Sequence, residues 1–257
     1  MKALSIAASG MLAQQQRTEV VANNLANMNT SGYERRRTEF NALLYRSYVR
    51  RPKAGSSAGE TVPSGVHAGL GVKVGDVYRV HEQGVLKQTG NTFDLAIQGE
   101  GMFQVQLPNG DIAYTRDGTF QLNQAGTLVT HDGFPVQPGI SVPAGAAKVT
   151  INSTGEVLVE QQGGAQANVG TILLAQFPNQ GGLRAVGDNL FVATTASGAA
   201  TPATPGLSGA GQIQQGFVEG SNVNPVEEIS NLIRASRAYE MNSKVMKAAD
   251  EMMATRN

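Results

Sequence analysis

The chain has 257 residues, with 20 basic and 20 acidic side chains, 31 Gly, and neither Cys nor Trp. That length holds one large domain or two small ones, enough to bury a core. Zero net charge argues against a dedicated nucleic-acid binder, the missing Cys excludes disulfides, thiol nucleophiles and Cys-based metal sites, and no apolar run approaches the roughly 18 residues of a membrane span. Distribution says more than totals. Residues 1–60 carry 9 basic and 4 acidic groups, residues 61–200 carry 6 and 10, and residues 55–220 hold 29 of the 31 Gly. Gly is costly inside helices and common in turns, so the two ends read as helical and the middle as turn-rich β.

At the N-terminus, Leu4, Ala7, Met11, Gln14, Thr18, Val21, Leu25 and Met28 recur at alternating steps of three and four, a heptad-like seam with two polar slots. The helix is expected to stop near Asn27–Asn29, with Gly32 as the stop signal. A seam that continues past any cleavage site argues against a secretory signal. The opposite face is polar but almost uncharged, with Ser5, Ser9, Gln15, Gln16, Asn23, Asn24 and Asn27. Amides suit helices packed among other helices, where they hydrogen-bond without a buried-charge penalty.

Residues 50–66, rich in Pro, Gly and Ser, read as a linker or extended arm. Beyond Gly84, short strands alternate with turn signals. The clearest unit is 103–115, an alternating strand, an Asn109-Gly110 turn, and a second strand. Turns follow at Arg116-Asp117-Gly118, Asn123–Gly126 and His131-Asp132-Gly133, with further strands expected at 148–152, 156–159, 169–176 and 190–194. Residues 196–208 read as a small-residue loop. Close turns without intervening helices predict antiparallel β. No chemistry surfaces in this region. Three Gly-x-Gly pairs never complete a dinucleotide fingerprint, His67, His81 and His131 lack metal-ligand spacing, and no nucleophile elbow is complete. The predicted sites therefore include no catalytic residue, cofactor or metal.

At the C-terminus, Asn224-Pro225-Val226-Glu227 signals a helix start. Ile229, Leu232, Ser236, Tyr239, Ser243, Met246 and Met253 share one face. Ala238, Met241, Val245, Ala248 and Met252 widen it, and Arg234, Arg237, Glu240, Lys244, Lys247 and Glu251 lie opposite. The expected fold is α+β, with long terminal helices forming a coiled-coil-like domain around a central antiparallel β domain. Assembly through the termini is the main inference from pattern. A soluble β-domain hydrolase and a monomeric periplasmic binding module remain open on these grounds.

Both ends also carry recognisable signatures. Residues 9–40 resemble the N-terminal signature of the bacterial flagellar rod and hook protein family, centred on Asn23-Asn24-Leu25-Ala26-Asn27, Thr30 and Gly32-Tyr33. Residues 218–252 resemble its C-terminal signature in Ser221-Asn222-Val223-Asn224, Glu227-Glu228, Arg237-Ala238-Tyr239-Glu240 and Asn242-Ser243-Lys244. Residues 97–101, 113–130 and 204–211, together with the Arg-, Ser- and Pro-rich 46–66 stretch, are most similar to distal rod subunits. The proximal rod subunit of similar size is the alternative. Departures are small: Tyr33 stands where Phe is also common, and Glu34 where Lys is frequent.

The resemblance implies a structural, non-enzymatic subunit that polymerises helically with itself into a hollow shaft and transmits torque to the hook. It implies residence in the basal body across the periplasm, without membrane insertion, and export through the flagellar type III apparatus without a cleavable signal. Implied partners are proximal rod proteins, the hook protein and the outer rings, with no nucleic acid. The expected organisation is residues 1–32 and 216–257 as helices of an inner assembly domain, 33–69 as an arm contacting neighbours, and 70–215 as the β domain. Arg234, Lys247 and Glu251 would face the channel.

Overall fold

The computed structural model describes residues 2–47, 67–161 and 165–255, so the 50–66 linker lies outside the described residues. The chain divides into two compact units. The first comprises residues 1–25, 36–78 and 225–257, and the second residues 26–35 and 79–224.

In the first unit, helix α1 spans Lys2–Ala26 and helix α2 spans Pro225–Ala254. Pro225 sits where its missing N–H costs nothing, and Glu227 and Glu228 complement the positive end of the helix dipole. The strand Arg36–Ala42 pairs with Val72–Arg79, and Tyr45–Ser47 pairs antiparallel with His67–Gly69. Ser9 fastens α1 to this ribbon. Its hydroxyl donates to the Ile6 carbonyl at 2.8 Å and accepts the Val72 N–H at 3.3 Å.

The expected coiled-coil-like pairing of the terminal helices is not what forms. Of the seven seam positions that fall on α1 only Ala7 and Val21 are buried, and the eighth, Met28, lies past its end. On α2 the buried residues are Glu228, Ala235 and Ala249, whereas Ile229, Tyr239 and Met253 of the predicted face are exposed. The helices meet through small residues and amides. A Cβ placed on Gly10 would lie 2.9 Å from the Asn242 amide nitrogen, and Arg17 Nη2 donates to Asn231 Oδ1 at 3.3 Å. A coiled coil needs large apolar knobs in facing holes. Here small side chains and amides make the contact, and large ones such as Leu12, Ile229, Met241 and Val245 stay exposed.

The second unit is a β structure around one main core. A six-stranded sheet runs in the order Arg184–Gly187, Leu190–Val192, Ile112–Thr115, Met102–Gln106, Leu174–Gln176, Thr201–Ala203. The hairpin read from 103–115 is there, with Phe103 opposite Thr115 and Val105 opposite Ala113. Ala146–Ile151, Glu156–Gln161 and Gln166–Thr171 form a separate antiparallel sheet. Two shorter pairs, Leu95–Gln98 with Gln212–Gln215 and Leu86–Gln88 with Phe217–Glu219, bring distant segments together. Leu95, Ile97, Phe103, Val105, Val136 and Leu174 are completely buried in this core. Phe103 meets Phe120 edge to face at 5.1 Å.

Two local readings change. The run 169–176 is not one strand: Gln166–Thr171 serves the three-stranded sheet and Leu174–Gln176 the six-stranded one, with Ile172 fully buried between them. The expected loop 196–208 contains the strand Thr201–Ala203. It pairs with Leu174–Gln176 at the sheet edge, where Pro202 can dispense with an N–H. Pairing, not local propensity, makes it a strand.

Candidate functional site

The residues singled out by the two end signatures fall into two sets, one in each unit. In the first unit Asn24 is 1% exposed. Its Oδ1 accepts the Arg36 N–H and its Nδ2 donates to the Arg36 carbonyl, both at 2.8 Å. The side chain thus imitates a strand neighbour, satisfying donor and acceptor of one residue. Asn23 is exposed and Leu25 half-buried. On α2, Asn242 faces Gly10 and Ser243 is half-buried, as is Ala238, while Glu228 is buried. Glu227, Arg234, Arg237, Tyr239, Glu240, Lys244, Lys247 and Glu251 are exposed. The C-terminal signature therefore mixes contact-making residues with an open charged face.

The second set converges in the β unit, which also holds Ala26, exposed, and Asn27 and Thr30, half-buried. Thr30 Oγ1 donates to Asn27 Oδ1 at 3.3 Å in the turn that follows α1. Gly32 and Tyr33 are buried, and the Gly32 N–H donates to the Glu219 carbonyl at 2.9 Å. Three residues on, Asn222 ties two segments to its own. Its Oδ1 accepts the Arg35 N–H at 2.7 Å, its Nδ2 donates to the carbonyls of Val80 at 2.9 Å and Glu82 at 3.0 Å, and its N–H reaches the Tyr33 carbonyl at 3.4 Å. Ser221 accepts the Val223 N–H at 3.2 Å, which steers the chain toward Asn224 and α2. Val223 is buried and Asn224 exposed.

Beneath this crossing lies a buried ion pair that inspection of the sequence missed. Arg116 Nε and Nη2 donate to the Glu219 carboxylate at 2.9 and 2.8 Å, and Nη1 donates to the carbonyls of Gly99 and Gly101, each at 2.9 Å. Glu219 also accepts the Gly84 N–H at 2.9 Å. Arg116 stands in a turn triplet, and nothing local in the sequence marks it as buried. Glu34 adds a second pairing, 3.0 Å from His81 Nδ1 and 3.7 Å from Arg79 Nε, and the Arg79 guanidinium lies 4.5 Å over the Phe191 ring. A cleft of about 70 Å³ lined by Glu34, His81, Gln83, Glu100, Arg116 and Glu219 opens beside these groups. Among the described residues no group of three or more His, Asp or Glu could hold a metal ion. No helix of the described residues is long and apolar enough to cross a membrane.

Burial pushes the Glu219 carboxyl above the ordinary carboxylate range, against the opposing pull of Arg116 and the Gly84 N–H, while Glu34 adds to the rise. For an acid raised in the folded state, the group's stabilising contribution is complete below its unfolded value and is lost as pH rises through the folded value. Stability of the wild-type chain relative to Glu219→Gln should therefore fall as pH rises across the window just above the ordinary carboxylate range. Urea midpoints at a series of pH values check this, and a wild-type-to-variant difference that is flat with pH would contradict it.

Family comparisons fit this placement of the signatures. Residues 4–33 match the model described as flagella basal body rod protein, residues 96–159 the flagellar hook protein FlgE/F/G D1 domain, and residues 214–257 the flagellar basal body rod FlgEFG protein C-terminal. The chain is 53% identical to the flagellar basal-body rod protein FlgG of Caulobacter vibrioides, with 98% of this chain and 97% of the relative covered. It is 46% identical to the FlgG of Agrobacterium fabrum, with 98% and 97% covered. The FlgF rod protein of Caulobacter vibrioides is 36% identical, with 97% and 94% covered. The chain belongs to the bacterial flagellar basal-body rod and hook protein family, and within it is most like FlgG, the distal rod protein.

Proposed function

We propose that this chain, a structural subunit of the distal rod of the flagellar basal body, polymerises helically through its terminal helices into a hollow drive shaft that transmits torque to the hook. The observation that carries the reading is the apolar surface both helices leave uncovered. Ile6 and Leu12 on α1, and Ile229, Ile233, Met241, Val245 and Met252 on α2, are all exposed. Large apolar side chains repeated along two helices are a surface waiting for cover, and further copies of the same helices supply it.

The exposed charges Arg234, Lys247 and Glu251 suit a channel wall, because a polar lining offers no adhesive patch to unfolded cargo in transit. Residues 33–69 brace neighbouring subunits, and the β unit forms the outer wall toward the rings. Proximal rod proteins, the hook protein, the outer rings and the type III export apparatus are the partners this reading assigns, and it assigns the chain no catalysis.

The test is a deletion of residues 1–25 and 225–257. The full chain should form sedimentable tubes visible by electron microscopy. The truncated chain should lose them while keeping the far-ultraviolet signature of folded β structure. Tubes formed equally well by the truncated chain would sink the reading.

A further inference from the structure

The chain passes between the two units at 25/26, 35/36, 78/79 and 224/225. In the β unit, the segments leading to those points are 26–35, the start of 79–224 and its end. Any load entering the β unit along the chain enters through these three segments. Left to themselves they are short, irregular pieces that would peel away one at a time.

We propose that Glu219 and Asn222 form a load-bearing clasp that ties the three segments to one another and to the core of the β unit. Asn222 reaches two of them from the third. It accepts the Arg35 N–H, donates to Val80 and Glu82, and bonds Tyr33 through its own N–H. Glu219 does the same one turn of chain earlier. Its carbonyl holds Gly32, its carboxylate holds Gly84 and Arg116, and its strand Phe217–Glu219 pairs with Leu86–Gln88. The Val80 N–H also donates to the Arg35 carbonyl at 2.9 Å, and the Gly220 N–H to Val85 at 2.9 Å. Arg116 then anchors the whole knot to the carbonyls of Gly99 and Gly101.

Mechanically, the bonds lie in parallel between segments. A pull on one segment is shared by the others, and several hydrogen bonds must fail together before any segment frays. An amide is suited to this task because it donates and accepts at once and carries no charge to desolvate. The clasp consists of positioning residues: they hold the ends of the unit that must stay in place under torque. This deepens the reading of the chain as a torque-bearing subunit and rests on it for its purpose. Tube formation by the full chain is measured separately, so the clasp and the rod reading can fail independently.

The chain has no Cys, so introduced thiols give unique attachment points for single-molecule pulling on the full-length protein. One handle pair, Asn29→Cys with Ile229→Cys, applies force through the clasp. A second pair, Lys148→Cys with Val186→Cys, loads the β unit away from it. All four positions are exposed. Asn222→Ala should shorten the lifetime at fixed force roughly tenfold or more across the first pair, the factor expected for one or two lost hydrogen bonds, and leave the second pair nearly unchanged. Val136→Ala, a core change outside the clasp, should shorten both. If Asn222→Ala does not fold, Asn222→Ser, which is too short to bond Arg35, Val80 and Glu82 together, should show the same contrast. Equal shortening across both pairs, or none across the first, would overturn the clasp.

Discussion

Arg116→Ala is expected to destabilise the β unit by about 3–5 kcal/mol, the range for removing one partner of a buried ion pair. Arg116 and Glu219 have side-chain exposures of only 10% and 6%. Alanine would leave the buried Glu219 carboxylate with the Gly84 N–H but no cation, and the carbonyls of Gly99 and Gly101 without their donor. The size of the loss should depend on pH in a defined direction. Burial already raises the Glu219 carboxyl, and Arg116 is the main group opposing that rise. Without it the carboxyl rises further, so acid, which supplies the proton, relieves part of the penalty. The loss should be largest near neutral pH and smaller near the ordinary carboxylate value, as read from denaturant unfolding at both. The double change Arg116→Met with Glu219→Leu should cost less than Arg116→Ala alone, because it removes both charges together. A double variant as unstable as the single one would show that shape, not charge, sets the cost.

Gly118→Ala is expected to be the most damaging single methyl in the β unit, costing more than about 4 kcal/mol. A Cβ at Gly118 would lie 1.6 Å from the Leu95 carbonyl oxygen and 3.2 Å from the Phe103 ring. Those neighbours cannot yield, since Leu95 and Phe103 are fully buried and the Leu95 N–H donates back to the Gly118 carbonyl at 2.9 Å. Gly110→Ala provides the comparison. Gly110 has φ +90° in the hairpin turn but nothing within 4 Å of an added Cβ. Its cost is purely conformational, about 1–2 kcal/mol. Thermal unfolding of both variants separates the two reasons for glycine. Comparable losses would mean that the backbone around Gly118 moves aside, contrary to the packing.

The parts of the molecule legible in the sequence were those written in short-range chemistry. Pro225 behind Asn224 marks the start of α2, and the α1 stop near Asn27 follows from the amide run ahead of Gly32. The hairpin around Asn109-Gly110 was readable from alternation and a turn dipeptide, and the two strands pair there. Legibility ended where one residue's state depended on a distant one. Thr201–Ala203 has no strand propensity worth the name and becomes a strand only because Leu174–Gln176 offers an edge. The 169–176 run looked like one strand because both its parts are apolar, although different sheets bury them.

The heptad-like seam shows the same limit at larger scale. Spacing showed which residues of α1 share a face, but not which surface that face would meet. Contact with α2 is made where Gly10 leaves room for Asn242, and small residues permit a closer approach than Leu or Met would. Of the signature residues, the sequence placed Asn24, Gly32 and Asn222 in motifs expected to serve assembly, without showing what they touch inside the chain. Their roles are hydrogen bonds to backbone at Arg36, Glu219, Arg35, Val80 and Glu82, and backbone partners leave no trace in side-chain identity.

By itself, then, the sequence determined the helical ends, the turn-rich middle, the absence of thiol chemistry and the membership of a flagellar rod family. Each of these follows from local propensity, composition or a contiguous signature. Only the tertiary structure decided that Arg116 and Glu219 form a buried pair, that several large apolar residues of the terminal helices stay exposed, and that two segments nearly 190 residues apart share hydrogen bonds. Those outcomes depend on which surfaces meet. Chain connectivity and packing density settle that question, and no window of neighbouring residues contains it.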